Sequence, residues 1–177
     1  MRLIARPQLL TCLLMCGVGL YGFGLAGCRA STGTLELRLV LPDANLAGFR
    51  SVELTPTWAG AYFGYFRDDN PTPIHIDVDA VRLPGQPART VSIARGDIPA
   101  RHYDRVAIDA PTAYALDPAG GRVPLISHIE PIARQFDLSA GKTVVIDIEL
   151  IIVPRAARSG GGWLIFVKDA QFAPSGS

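Results

Sequence analysis

From residue 34 onward, apolar and polar positions alternate over stretch after stretch of the chain. Thr34-Leu35-Glu36-Leu37-Arg38-Leu39-Val40-Leu41 places four leucines on one side and Glu36 and Arg38 on the other. A period of two is the mark of a half-buried strand, because successive side chains point to opposite faces. Pro42-Asp43 closes this run, and Ser51–Thr55 repeats it. Ile74–Asp79 has the cleanest alternation, with Ile74, Ile76 and Val78 opposite His75, Asp77 and Asp79. Further strands are predicted over Thr90–Ala94, Tyr103–Ala110, Val123–Ile129, Arg134–Leu138, Thr143–Val153 and Trp163–Val167. Asp117-Pro118-Ala119-Gly120-Gly121 and Ala140-Gly141-Lys142 read as turns between them.

After Cys28 no stretch of twelve residues has a helical period, and no internal repeat is evident. Seven to nine short strands separated by glycine and proline turns predict an all-β, two-sheet sandwich, immunoglobulin-like or transthyretin-like. In Ile98-Pro99-Ala100-Arg101-His102-Tyr103, a Tyr enters a strand just after a proline turn. That placement predicts a tyrosine corner, with a packed ring and a hydroxyl bonded to nearby backbone.

The first residues follow another pattern. Arg2 and Arg6 are the only charges before Arg29, and Leu9–Gly27 is uncharged. A positive start, an apolar run and small residues before a cut site make an export signal. A spanning helix is the alternative, since such a run could just cross a bilayer core of roughly 30 Å. Gly17, Gly19, Gly22, Gly24 and Gly27 argue against it, each weakening a helix by roughly 1 kcal/mol relative to Ala. No basic cluster follows to stop transfer, only Arg29.

The run ends in Leu25-Ala26-Gly27-Cys28, which resembles the lipobox of bacterial lipoproteins. The resemblance implies cleavage before Cys28 and lipid on its sulfur and amino group. Lipid contributes about 0.8 kcal/mol per buried methylene, so two or three long chains hold firmly. The expected organisation is a signal peptide over 1–27, a lipidated tether over 28–33, one sandwich domain over 34–173 and a disordered tail over 174–177. Arg29 rather than Asp follows the cysteine. By the same resemblance, this implies the outer membrane, on its periplasmic face or at the cell surface, rather than the inner membrane.

Composition narrows the chemistry. The signal holds two of the seventeen basic residues and none of the sixteen acidic ones, so the mature charge is 15 − 16 = −1. A near-neutral chain with no basic run has no electrostatic footprint for nucleic acid. Cys12 and Cys16 leave with the signal. Cys28 is then the sole mature cysteine, and neither a disulfide nor a cysteine-ligated metal is expected.

With the opening Gly33-Thr34-Leu35-Glu36-Leu37, two further segments carry a second resemblance. Ile98–Val106 resembles the leucine-proline-alanine-glycine-x-tyrosine turn of transthyretin-like bacterial sandwiches, with Arg101 where that turn has Gly. Phe136–Thr143 resembles a second strand-turn-strand element of the same kind. Their order is similar to that of a family of exported lipoproteins, domain of unknown function 4382. The family implies an envelope β-sandwich and supplies no catalytic residues.

Three polar constellations give little chemistry. His75, Asp77 and Asp79 share one strand face, but same-face neighbours stand about 7 Å apart, too far for one ion to bridge all three. Ser127-His128-Ile129-Glu130 has the letters of a hydrolase, yet adjacent strand residues face opposite ways. Asp68-Asp69-Asn70 lacks the spaced pattern of a calcium loop and reads as an exposed turn. No metal, cofactor or catalytic residue is therefore expected.

Aromatic residues are the stronger clue. Twelve remain after signal removal, and five lie within Trp58–Phe66. If that segment is extended, Trp58, Tyr62 and Phe66 share one face, and Phe63 and Tyr65 the other. One face can enter the core, and the other needs cover or a partner. These five form the candidate binding patch, because clustered exposed Tyr and Trp mark interfaces. The expected function is a non-enzymatic, membrane-anchored envelope module that binds a protein or a glycan. The alternatives are a purely structural envelope component or, against the side-chain inventory, a metal-binding or hydrolytic enzyme.

Overall fold

A computed structural model describes residues 31–64, 71–84, 90–156 and 160–173. The signal, the lipobox with Cys28, Tyr65, Phe66, Asp68-Asp69-Asn70 and the tail at 174–177 lie outside the described residues. Among the described residues the elements are strands, in the order β1 (Thr32–Val40), β2 (Ser51–Thr55), β3 (Trp58–Tyr62), β4 (Thr72–Pro73), β5 (Val81–Pro84) and β6 (Thr90–Pro99). They continue with β7 (His102–Asp109), β8 (Thr112–Leu116), β9 (Arg122–His128), β10 (Ile132–Asp137), β11 (Thr143–Pro154) and β12 (Trp163–Phe172). One 3-10 turn, Asp43–Asn45, follows β1.

The strands form two sheets. The large one has the order β5-β2-β8-β9-β12-β11-β1-β6, and the small one β10-β7-β3-β4. The fold is an all-β, two-sheet sandwich. Edge strands β5 and β6 are joined by only the five residues 85–89. Eight flat strands would separate their outermost members by about 34 Å, at about 4.8 Å per step. Five residues and their flanking bonds reach about 20 Å at full extension. The large sheet must therefore curl, and β5 and β6 do approach each other.

The leucine stripe is the centre of the core. Leu35, Leu37, Leu39 and Leu41 are all fully buried, each contributing roughly 1.5–3 kcal/mol relative to exposure. β11 runs parallel to β1 with Leu37 beside Ile146 and Leu39 beside Ile148, so the two apolar stripes are in phase. On the opposite face the same register sets Arg38 beside Asp147, joined by two hydrogen bonds of 2.6 and 2.9 Å. With 28% and 25% of the two side chains exposed, this pair adds no more than about 1 kcal/mol. Its geometry suits only the observed register.

The tyrosine corner is present. Tyr103 is fully buried, stacks on Phe136 at 5.1 Å and donates its hydroxyl to the Pro99 carbonyl at 2.8 Å. Burial pushes its phenol up from the ordinary value.

Three sequence expectations need correction. Ile74–Asp79 is not a strand and has a single bridge, Ile76 to Ala94. The Ile74 amide bonds the Ala59 carbonyl in the small sheet, whereas His75 and Asp77 bond Arg95 and Ile93 of β6 in the large one. A segment crossing between sheets cannot continue a ladder, although its apolar side still turns inward. Secondly, β6 and β12 run five residues beyond their predicted ends at Ala94 and Val167. Ladder bonds to β1 and β11 carry them on after the alternation fades. Thirdly, β4, β5 and β8 were not expected, and β3 only on the supposition that Trp58–Phe66 is extended, which takes the strand number among the described residues to twelve. β8 buries Ala113 and Ala115, whose methyl groups give little hydrophobic contrast.

Candidate functional site

β3 is flanked in the small sheet by β7 and β4. Ala59 and Ala61 are buried and stand beside Ile108 and Val106 of β7, facing the core. Trp58, Gly60 and Tyr62 therefore occupy the outward face of the sheet. The core side of the strand carries alanines, not rings. The leucine and isoleucine stripes of the large sheet fill the core, and β3 supplies only methyl groups to it.

The outward rings are organised. Trp58 and Tyr62 meet edge to face, with centroids 6.3 Å apart. The indole lies over Gly60, where a Cβ would come within 2.5 Å of its Cζ2 and Cη2 atoms. Only glycine lets the ring lie along its own strand in this way. Arg105, paired with Tyr62 across the ladder, sets its guanidinium carbon 4.5 Å from the Tyr62 ring centroid. Both rings are half-buried and leave part of their surface open. Flat aromatic faces joined to a cation make a platform that can stack against a sugar ring or an aromatic side chain.

Phe63 belongs elsewhere. It follows the end of β3 and packs against the core, with the Arg101 guanidinium carbon 4.2 Å from its ring centroid. Trp58 and Tyr62 are thus brought together, and Phe63 is separated from them.

The polar constellations stay dispersed. His75, Asp77 and Asp79 are exposed, with 3.9 Å between the His75 Nε2 and Asp77 Oδ1 atoms. Among the described residues no three His, Cys, Asp or Glu side chains gather as a metal cage. His128 pairs with Glu130 at 3.0 Å, while Ser127 faces the other side of β9.

One cluster escaped sequence reasoning. His102 bonds Asp137 Oδ1 through Nδ1 at 2.8 Å and lies 3.4 Å from Asp104 Oδ1 through Nε2. The Asp137 hydrogen bond, followed by the charges of Asp137 and Asp104, raises its pKa against an opposing desolvation. Asp137 is on β10, joined to His102 only by strand pairing, so no local spacing could have shown the contact.

No family model, curated protein or solved structure matches the chain. The class defined by fold and geometry is an all-β sandwich with an outward aromatic platform on its smaller sheet.

Proposed function

We propose that this chain is a non-enzymatic, lipid-anchored β-sandwich of the bacterial cell envelope, docking an envelope protein or a glycan on its Trp58–Tyr62 face. The observation that carries the docking reading is the division of β3. Its alanines serve the core and its large rings stand outside, so the rings are not explained by packing the sandwich. Support for the anchor comes from Leu25-Ala26-Gly27-Cys28 at the end of the uncharged run. The separation of Ser127 from His128 supports a binding role over a hydrolytic one.

The test uses two changes in the full chain. Cys28→Ser should abolish acyl labelling and release the protein from membranes. A Trp58→Ala/Tyr62→Ser double variant should stay anchored and folded but lose cross-links to its envelope partner. Continued acylation of the Ser variant would refute the anchor. Unchanged partner recovery together with a large fall in melting temperature would show that the rings only stabilise the sheet.

A further inference from the structure

The strand registers gather cationic side chains at one pole of the large sheet. β2 begins at Ser51, which stands between Pro84 of β5 and Leu116 of β8. Arg50 directly precedes it, and the Arg50 amide bonds the Leu116 carbonyl at 2.7 Å. Two positions further along β2, Glu53 lies beside Arg82 of β5. Val52 and Leu54 are buried in the core, so Ser51 and Glu53 occupy the outer face of the sheet. Arg50, Ser51, Arg82, Leu116 and Gly120 line a cleft of about 320 Å³ there, a volume within the range of small-ligand sites.

The carboxylates near the cleft are already engaged. Arg82 bonds Glu53 Oε1 through Nε and Nη2, and Arg122 bonds Glu53 Oε2 at 2.7 Å while lying over the Tyr114 ring. Asp117, in the turn after β8, accepts from the Gly121 amide at 2.7 Å. Arg50, Arg82 and Arg122 against Glu53 and Asp117 leave one positive charge in excess, 3 − 2 = +1. The Arg82 Nη1 hydrogens stay open. Among the described residues the Arg50 side chain has no hydrogen bond or ion pair.

Ser51 is the second observation. Asn45 and Ser51 are the buried polar residues among those described, and Ser51 is 6% exposed. Asn45 donates to Glu149 and to the Leu150 carbonyl. The Ser51 hydroxyl has no hydrogen bond among the described residues, yet it is not sealed off from the cleft it lines. Polar groups buried to this extent are nearly always bonded. Here the open hydroxyl stands beside two arginines with hydrogens to donate, and all three donors suit one anion.

A tetrahedral oxyanion carries the matching chemistry. The Arg50 guanidinium is a planar fork that can hold two phosphate oxygens, while Arg82 Nη1 and the Ser51 hydroxyl donate to the others. Leu116 offers an apolar wall to the carbon chain of an ester. We propose that this cleft is a phosphate-binding site, taking the phosphate of a soluble ester or of a lipid headgroup, with Arg50 and Arg82 neutralising its charge and Ser51 fixing one oxygen. The site rests neither on the Trp58–Tyr62 platform nor on lipid at Cys28. β1 and β11 run one way, β12 and β9 the other, and β8 turns back, so Leu116 and Ser51 lie at the pole opposite the start of β1.

Proton–nitrogen correlation NMR on the detergent-solubilised full chain tests this, with inorganic phosphate, glycerol 3-phosphate and dihexanoyl phosphatidylglycerol as probes. The Ser51 and Gly120 amides should shift saturably with at least one probe, with a Kd in about the millimolar range that weakens as salt rises. Arg50→Gln should weaken binding at least about tenfold, and Ser51→Ala about threefold or more. Arg50 is exposed and Ser51→Ala removes one atom, so both variants should fold. Lys142→Gln, on a turn at the other pole, should change nothing. Saturation by phosphate or glycerol 3-phosphate supports the site and assigns a soluble ester. Saturation by the phosphatidylglycerol alone supports it and assigns a lipid headgroup. The proposal is overturned if no probe gives a saturable shift at about 10 mM, or if the shifts survive both Arg50→Gln and Ser51→Ala.

Discussion

The Tyr103 hydroxyl donates to the carbonyl of Pro99, four residues upstream, and so clamps the turn between β6 and β7 from inside the core. β6 belongs to the large sheet and β7 to the small one, so this short turn joins the two layers. Tyr103→Phe keeps the stack on Phe136 but leaves the carbonyl without its donor. The expected loss is about 1 kcal/mol, or a fall of about 2–4 °C in melting temperature for a domain of this size. Tyr103→Ala also removes the buried ring and should cost about 3–5 kcal/mol. Urea unfolding of the three proteins checks the order, and equal stability of Phe and Tyr would show that the hydroxyl clamps nothing.

Gly60→Ala tests the platform without removing either ring. The new methyl would meet the Trp58 indole at 2.5 Å and the Thr72 carbonyl oxygen at 2.9 Å. The side chain can swing away, but the carbonyl belongs to the β3–β4 pairing. Overpacking of this kind should cost about 1–3 kcal/mol. In a Trp163→Phe background the emission of Trp58 should shift as the indole leaves its seat. An unshifted spectrum would mean that the ring does not rest on Gly60.

His102 should make stability depend on pH. Its hydrogen bond to Asp137 and the nearby Asp104 charge raise its folded-state pKa, so the folded protein binds the proton more tightly than the unfolded chain. The stabilisation is full below the ordinary histidine value of about 6.5 and is lost as pH rises through the raised value. The gap in urea midpoint between wild type and His102→Gln should be widest at acid pH and close toward alkaline pH. With 52% of the His102 side chain exposed, the gap should be modest and shrink in salt. A gap that grows with pH would contradict the assignment.

Alternation along single strands was enough to place β1, β2, β7 and β11 to within about two residues. The burial of Leu35, Leu37 and Leu39 could be read from the chain because it needs only one dry side of one strand. The turn at Ala140-Gly141-Lys142 was legible for a similar reason, with Gly141 at φ 68°, where a side chain is strained. Trp58 and Tyr62 were found by composition and their shared face by parity. Which face enters the core was decided in the assembled structure. Space beneath β3 admits methyl groups, so Ala59 and Ala61 are buried and the rings stay outside.

The sequence by itself determined the all-β class and the buried side of its strongest strands, because a hydrophobic period is a local property of a strand. Tertiary structure alone decided the parallel pairing of β1 with β11, the crossing of residues 74–77 between sheets, and the gathering of Arg50, Ser51 and Arg82 at one cleft. Backbone donors and acceptors are the same at every residue except proline, so they carry no address for a partner strand. The partner is selected when short connections and competing side chains fill one core together, and only then do Arg50 and Arg82, from different parts of the chain, line one cleft.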